Sequence, residues 1–158
     1  MTQAEEVKNK VLSTFGEVAS SIGYSPLHGK IIAILLVKSK PVSLQEVAKE
    51  TGYSTSMISL SLDLLEVLGV IKRVKKTADR KLYIELSGDL IEILKNAIVM
   101  KVDKSIKNTV SEFEAARQHI KDLPEPDRRE AENTIDMLEA EIKRLNEYVR
   151  ILSRIKLP

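Results

Sequence analysis

The stretch from Pro41 to Gly69, PVSLQEVAKETGYSTSMISLSLDLLEVLG, constrains this chain more than any other. It reads as two short helices whose stop and start signals fall within about three residues. Ser43-Leu44-Gln45-Glu46 matches a capping box, in which the Ser and Glu side chains reciprocally satisfy free backbone N–H groups. The helix it opens turns Leu44, Val47 and Ala48 inward. Thr51-Gly52 ends it, because glycine supplies the left-handed geometry just past a helix. Ser54 then caps a second helix carrying Met57, Ile58, Leu60, Leu62, Leu64, Leu65 and Leu68, which Gly69 closes. Two short helices joined by so short a Gly-containing turn form a helix-turn-helix.

The flanking segments extend this unit. Residues 4–22 predict a first helix, with Val7, Val11, Phe15, Val18 and Ile22 forming one apolar stripe and Gly23 as its stop. Ser25-Pro26 predicts an N-cap followed by proline at the first helical position, where its missing N–H is harmless. That second helix runs to about Ser39, and Lys40-Pro41 stops it. After Gly69, Val70 to Lys75 reads as a strand. Leu82, Ile84 and Leu86 alternate with Lys81, Tyr83 and Glu85 in a second strand, and Lys76 to Asp79 is the turn between them. Helix, helix-turn-helix and hairpin in that order make a winged helix.

The hairpin holds an unusual concentration of charge. Between residues 72 and 81 it has six basic residues (Lys72, Arg73, Lys75, Lys76, Arg80 and Lys81) against the single acid Asp79, a local charge of +5. The whole chain nets +2. Cations on a wing that follows a helix-turn-helix suit phosphate contact and entry of Arg into a minor groove. A bare solvated edge, with Lys guarding against strand pairing, is the competing account. In the second helix of the pair, Ser54, Thr55, Ser56, Ser59 and Ser61 place hydroxyls on its N-terminal half, where they can reach phosphates or base edges. That helix carries no Lys or Arg, so direct base readout by the commonest contact, Arg or Lys to guanine, is missing.

From Ser87 the pattern changes. Ser87 reads as an N-cap with Asp89 in the first turn. Leu94, Ile98, Val102, Ile106, Val110 and Phe113 recur at three or four, predicting one helix to about Lys121 and roughly 50 Å long. LPEP, Leu123 to Pro126, breaks it. A last helix carries Ile135, Leu138, Ile142, Leu145, Val149 and Leu152 at heptad spacing, flanked by Met137, Tyr148, Ile151 and Ile155. The two long helices form an antiparallel hairpin with more apolar surface than it can bury alone. A second copy of the chain is its expected partner, giving a homodimer; folding of both helices onto the winged helix is the alternative.

Several classes find no support. The chain has no cysteine, so disulfides and thiolate metal sites are impossible. His28 and His119 are isolated and expected to be structural, with no metal and no cofactor. There is no nucleophile elbow, Walker loop or dinucleotide fingerprint, and an enzyme is not expected. The N-terminus lacks an apolar signal region, and the longest apolar run, Ile31 to Val37, is too short for a bilayer. The expected setting is cytoplasmic, without a membrane partner.

Residues 27–86 resemble the winged-helix domain of MarR-type transcriptional regulators, with most similarity to the GbsR-like branch. The features that carry the resemblance are GKIIAILL, PVSLQEVAKETGYSTSMIS, LLEVLGVIKRV and DRKLYIEL. It implies a homodimer joined through terminal helices, with Ser54 to Ser59 entering the major groove and Arg80, beside Lys81, at the minor groove. Asp79 directly precedes Arg80, whereas many members have a residue between them, which argues against an Asp–Arg brace. Some GbsR-like proteins sense choline-type ligands, but the aromatics here are scattered and form no evident cage.

The fold class expected is therefore mostly α with a small β-hairpin wing. Residues 1–24 form an N-terminal helix contributing to dimerisation, 25–87 the winged helix-turn-helix, and 88–158 the dimerising hairpin. Double-stranded DNA is the expected partner, read by Ser54, Thr55, Ser56, Ser59, Arg73, Lys75, Lys76, Arg80 and Lys81, and the function is transcriptional regulation, as a repressor that occludes a promoter. Ile135, Leu138, Ile142, Leu145, Val149 and Leu152 are the expected dimer contacts. A small-molecule effector is left open. A protein-interaction module and an architectural DNA binder are the alternative readings.

Overall fold

A computed structural model of the chain describes residues 1–76, 78–156 and 158. Thr77, in the expected wing turn, lies outside the described residues. The chain divides into two compact units, Met1–Leu94 and Lys95–Pro158.

The first unit opens with α1 (Gln3–Ser21), capped by Thr2 and Glu5 in a reciprocal box. Helix α2 (Pro26–Lys38) starts at Ser25, whose side chain accepts from Leu27 N–H while His28 Nδ1 accepts from Ser25 N–H at 3.2 Å. His28 thus has a capping role. The buried residues of α2 (Leu27, Gly29, Ile31, Ala33, Ile34, Leu35) reach round much of its circumference, which marks a central helix. The helix-turn-helix follows as α3 (Leu44–Thr51) and α4 (Thr55–Val67), with Gly52 at φ +75° in the turn between them.

The expected stripe on α1 is rotated. Leu12, Gly16 and Ala19 are buried, whereas Val7 and Val18 are exposed. The reason is a close crossing of α1 and α2. A Cβ placed on Gly29 would lie 2.0 Å from the Phe15 carbonyl oxygen, and one on Gly16 would lie 3.3 Å from the Pro26 carbonyl oxygen. Small residues let the backbones meet, so the small-residue face turns inward and the branched residues are displaced to its flank.

The sheet has one strand more than expected. β2 (Ile71–Lys75) and β3 (Leu82–Leu86) form the wing, and β1 (Val42–Ser43) adds to the other side of β3 in the order β1-β3-β2, all antiparallel. Two residues are too few to show an alternation. Val42 and Ile84, in register, are both fully buried, so the short strand closes the core beneath the wing. Ile31, Val47, Ile58 and Leu62 complete its centre.

Ser43 also caps α3, accepting from Glu46 N–H at 3.2 Å, but only that half of the expected box forms among the described residues. The Glu46 carboxylate turns to Lys38 Nζ at 2.7 Å, a charge-assisted bond that outcompetes a neutral amide. This pair lowers the Glu46 pKa below its ordinary range. Lys8 and Lys38 both pair with Glu50, so ion pairs tie α1 and α2 to α3.

The second unit holds most of α5 (Leu90–His119), a 3-10 turn (Ile120–Asp122) and α6 (Asp127–Arg154). The cap of α5 is Asp89, not Ser87: Asp89 Oδ1 accepts from Ile91 and Glu92 N–H at 2.8 and 3.2 Å. Ser87 N–H is instead committed to the Val70 carbonyl at 2.8 Å, and a carboxylate suits the positive end of the helix. Lys95, early on α5, donates to the Ile155 carbonyl, while Arg117, late on α5, pairs with Asp136 and Glu139. The two helices therefore run antiparallel, as expected. No described helix is long and apolar enough to cross a membrane.

Candidate nucleic-acid interface

α4 is built so that one side is core and the other is offered to solvent. Ile58, Ser61, Leu62 and Leu65 are buried. The Ser61 hydroxyl, expected on the open face, is therefore turned into the core. Thr55, Ser56 and Ser59 are exposed on the N-terminal half. Ser54 is the cap, its Oγ accepting from Met57 N–H at 3.3 Å. The outermost stripe, opposite the core, is Ser56, Leu60, Asp63 and Val67 at helical spacing. Leu60 and Val67 are 71% and 77% exposed, unusual values for large apolar residues.

The six wing cations fall into two groups. Lys72 pairs with Glu85, directly across the ladder, at 2.9 Å. Arg73 reaches from β2 to α4, with Nη2 2.5 Å from Asp63 Oδ1 and Nε 3.5 Å from Glu66 Oε2. These two charges, at the base of the wing, are met by protein acids. Lys75, Lys76, Arg80 and Lys81 lie around the tip, all exposed, and none forms an ion pair among the described residues. The charge available to a ligand is thus at the tip. Asp63 and Glu66, spaced one helical turn apart and ten and seven residues before Arg73, were a legible signal for its pairing.

Asp79 organises that tip. Its Oδ1 accepts from Lys81 N–H at 2.7 Å, and its Oδ2 accepts from Tyr83 Oη at 2.7 Å. Lys76 Nζ sits over the Tyr83 ring, 4.1 Å from its centroid. Arg80 is not among the residues of this set. The Tyr83 hydrogen bond, then the Lys81 amide and the neighbouring ammonium groups, hold the Asp79 pKa below its ordinary range. The same bond raises the pKa of Tyr83.

Both shifts stabilise the folded tip, on opposite sides of neutrality. The lowered Asp79 contribution is present above the ordinary aspartate range and is lost as pH falls through the folded pKa. The raised Tyr83 contribution is present below the ordinary tyrosine range and is lost as pH rises through the folded pKa. Asp79→Asn is expected to return Tyr83 toward its ordinary titration range. The check is alkaline titration by ultraviolet absorbance, with Tyr83→Phe subtracted to isolate this tyrosine; an unmoved curve would mean the bond does not persist in solution.

In the second unit, Ala97 and Ile106 of α5 and Ile135 of α6 are buried. Of the expected dimer seam, Ile142 and Val149 are partly covered, and Leu138, Leu145 and Leu152 remain 45%, 42% and 39% exposed. Met137, Tyr148, Ile151 and Ile155 are more exposed still. Among the described residues no group of three or more acidic or histidine side chains could hold a metal ion.

One comparison with a solved structure agrees on the architecture. A solved structure of a transcriptional regulator superposes with a TM-score of 0.57 at 19% identity, covering 94% of this chain and 99% of that one. This is the winged-helix fold. A Bacillus subtilis (strain 168) protein, "Putative HTH-type transcriptional regulator YvaV", is 22% identical over 156 residues, spanning 98% of this chain and 88% of its own length. A mutant of S. aureus MepR, solved bound to an oligodeoxyribonucleotide, aligns over 87% of this chain and 93% of its own at 15% identity and a TM-score of 0.44. No protein-family model matches the chain.

Proposed function

We propose that this protein is a homodimeric DNA-binding transcriptional regulator of the MarR type, acting as a repressor by occluding a promoter. The observation that carries the reading is the wing tip: Lys75, Lys76, Arg80 and Lys81 stand exposed and in no ion pair among the described residues, on a hairpin that an ion pair joins to the second helix of a helix-turn-helix. Thr55, Ser56 and Ser59 on α4 add hydroxyl donors, and the helix N-terminus favours a phosphate. Arg73, bound to Asp63 and Glu66, serves in this reading to neutralise two acids that would otherwise repel DNA. The Bacillus subtilis relative, with its helix-turn-helix regulator description, supports the same assignment.

Dimerisation is assigned to the second unit, where Leu138, Leu145 and Leu152 with their exposed neighbours leave an apolar stripe that a second copy would cover. Two wings and two α4 helices would then address one site with two-fold symmetry.

The test is equilibrium binding to the duplex upstream of the protein's own gene against a scrambled duplex, from low to physiological salt, with sedimentation to give the oligomeric state. Selective, salt-sensitive binding by a dimer is expected. The apolar, base-free face of α4 favours one second reading, a protein-interaction module, and absence of duplex binding even at low salt would move the assignment there.

A further inference from the structure

The side chains of α4 restrict which base edges it can read. Thr55–Val67 contains no Arg, Lys, Asn or Gln. Bidentate contacts to guanine, made by Arg or Lys, and to adenine, made by Asn or Gln, are therefore unavailable from this helix. An acid can accept from the cytosine amino group, but Asp63 and Glu66 are both occupied by Arg73. What remains on the open face is a set of short hydroxyls and the exposed apolar residues Met57, Leu60 and Val67.

The one base feature that an apolar side chain recognises in the major groove is the thymine C5-methyl group. Leu60 is placed for it. It lies one turn beyond Ser56, on the stripe opposite the core, within the N-terminal half that a recognition helix presents to base edges. Its exposure is 71%, so burial against a methyl group would remove apolar surface from water on both partners. Charge complementarity identifies the occupant as DNA: the tip cations Lys75, Arg80 and Lys81 supply the phosphate contacts that would seat such a helix.

We infer that Leu60 is a specificity-determining residue that reads thymine methyl groups, so that α4 selects its site by methyl contact and not by a guanine-reading cation. The inference rests on the DNA-binding reading above. It implies that replacing a contacted thymine by deoxyuridine, which keeps every hydrogen-bonding group and removes only the methyl, weakens binding.

The experiment takes the full chain and a duplex enriched by selection from a random pool, and replaces its thymines singly by deoxyuridine. The wild type is expected to lose about four-fold in affinity for each contacted methyl removed, the value of one methylene-sized burial. Leu60→Ala is expected to bind the thymine and deoxyuridine duplexes equally well, with its melting temperature unchanged because Leu60 is outside the core. Equal binding of both duplexes by the wild type, or an undiminished thymine preference in Leu60→Ala, would overturn the inference while leaving the DNA-binding assignment intact. Failure to enrich any duplex would instead overturn that assignment, and the inference with it.

Discussion

Gly29→Ala is expected to destabilise the first unit by about 3 kcal/mol and lower its melting temperature by roughly 15 °C. Glycine to alanine inside a helix ordinarily stabilises by about 1 kcal/mol, because alanine loses less backbone entropy. Here the new Cβ would sit 2.0 Å from the Phe15 carbonyl oxygen and 2.5 Å from its carbon. Those are backbone atoms of α1, so no side chain can rotate away, and the two helices must separate. Separation opens space around the tightly packed Leu12 and Leu27 and forfeits their contacts. Gly16→Ala provides the internal comparison. Its Cβ meets the Pro26 carbonyl oxygen at 3.3 Å, which a shift of a few tenths of an ångström relieves. Its packing cost and its helix-propensity gain should nearly cancel, leaving stability within about 1 kcal/mol of wild type. Thermal melts by far-ultraviolet circular dichroism compare the two. Equal, small effects would mean that α1 does not lie against α2 in solution as closely as this.

Replacing Lys75, Arg80 and Lys81 together by alanine is the second large effect. Each cation that neutralises a phosphate releases counterions, so the slope of log affinity against log salt should fall by about 0.9 per contact. For three contacts per protomer that is about 2.7 per protomer and about 5.4 for a dimer on one site, and affinity at physiological salt should fall by about a hundred-fold or more. The loss should be similar on specific and scrambled duplexes, because phosphate contacts carry no sequence information. Arg73→Ala should behave differently. Its guanidinium is committed to Asp63 and Glu66, so its loss removes no phosphate contact; affinity should drop because the two uncovered carboxylates repel the duplex, and the deficit should shrink as salt screens them. A fluorescence-anisotropy titration of the wild type and these two variants at several salt concentrations decides the matter. An unchanged slope in the triple variant would remove the wing from the interface.

The two variants separate kinds of charge that composition alone merges. Counted along the chain, Lys72 to Lys81 is one basic segment of +5. In the folded unit, cross-strand pairing gives Lys72 to Glu85, and the approach of β2 to α4 gives Arg73 to two acids. The remaining cations gather where Asp79 and Tyr83 shape the turn. Of the residues expected at the interface, Thr55, Ser56, Ser59, Lys75, Lys76, Arg80 and Lys81 are exposed, Ser54 has a capping role, and Arg73 is engaged within the protein. Leu60 was visible in the sequence only as another apolar residue of α4; its exposure follows from which side of the helix meets α2 and α3.

Most helix ends of the first unit follow from local sequence. Caps at Ser25, Ser43 and Ser54 and left-handed stops at Gly23, Gly52 and Gly69 depend on residues a few positions apart, so local chemistry is enough. The hairpin strands were legible for the same reason, as an alternation over neighbouring residues. Tertiary structure alone decided three things. It turned the small face of α1 inward, because Gly29 lets the two backbones meet. It made Val42–Ser43 a strand, because β3 was there to pair with it. It also chose which wing cations are neutralised, because their acid partners lie on other elements. Each of these depends on a contact between segments distant in sequence, and no periodicity within one segment records who its neighbour will be.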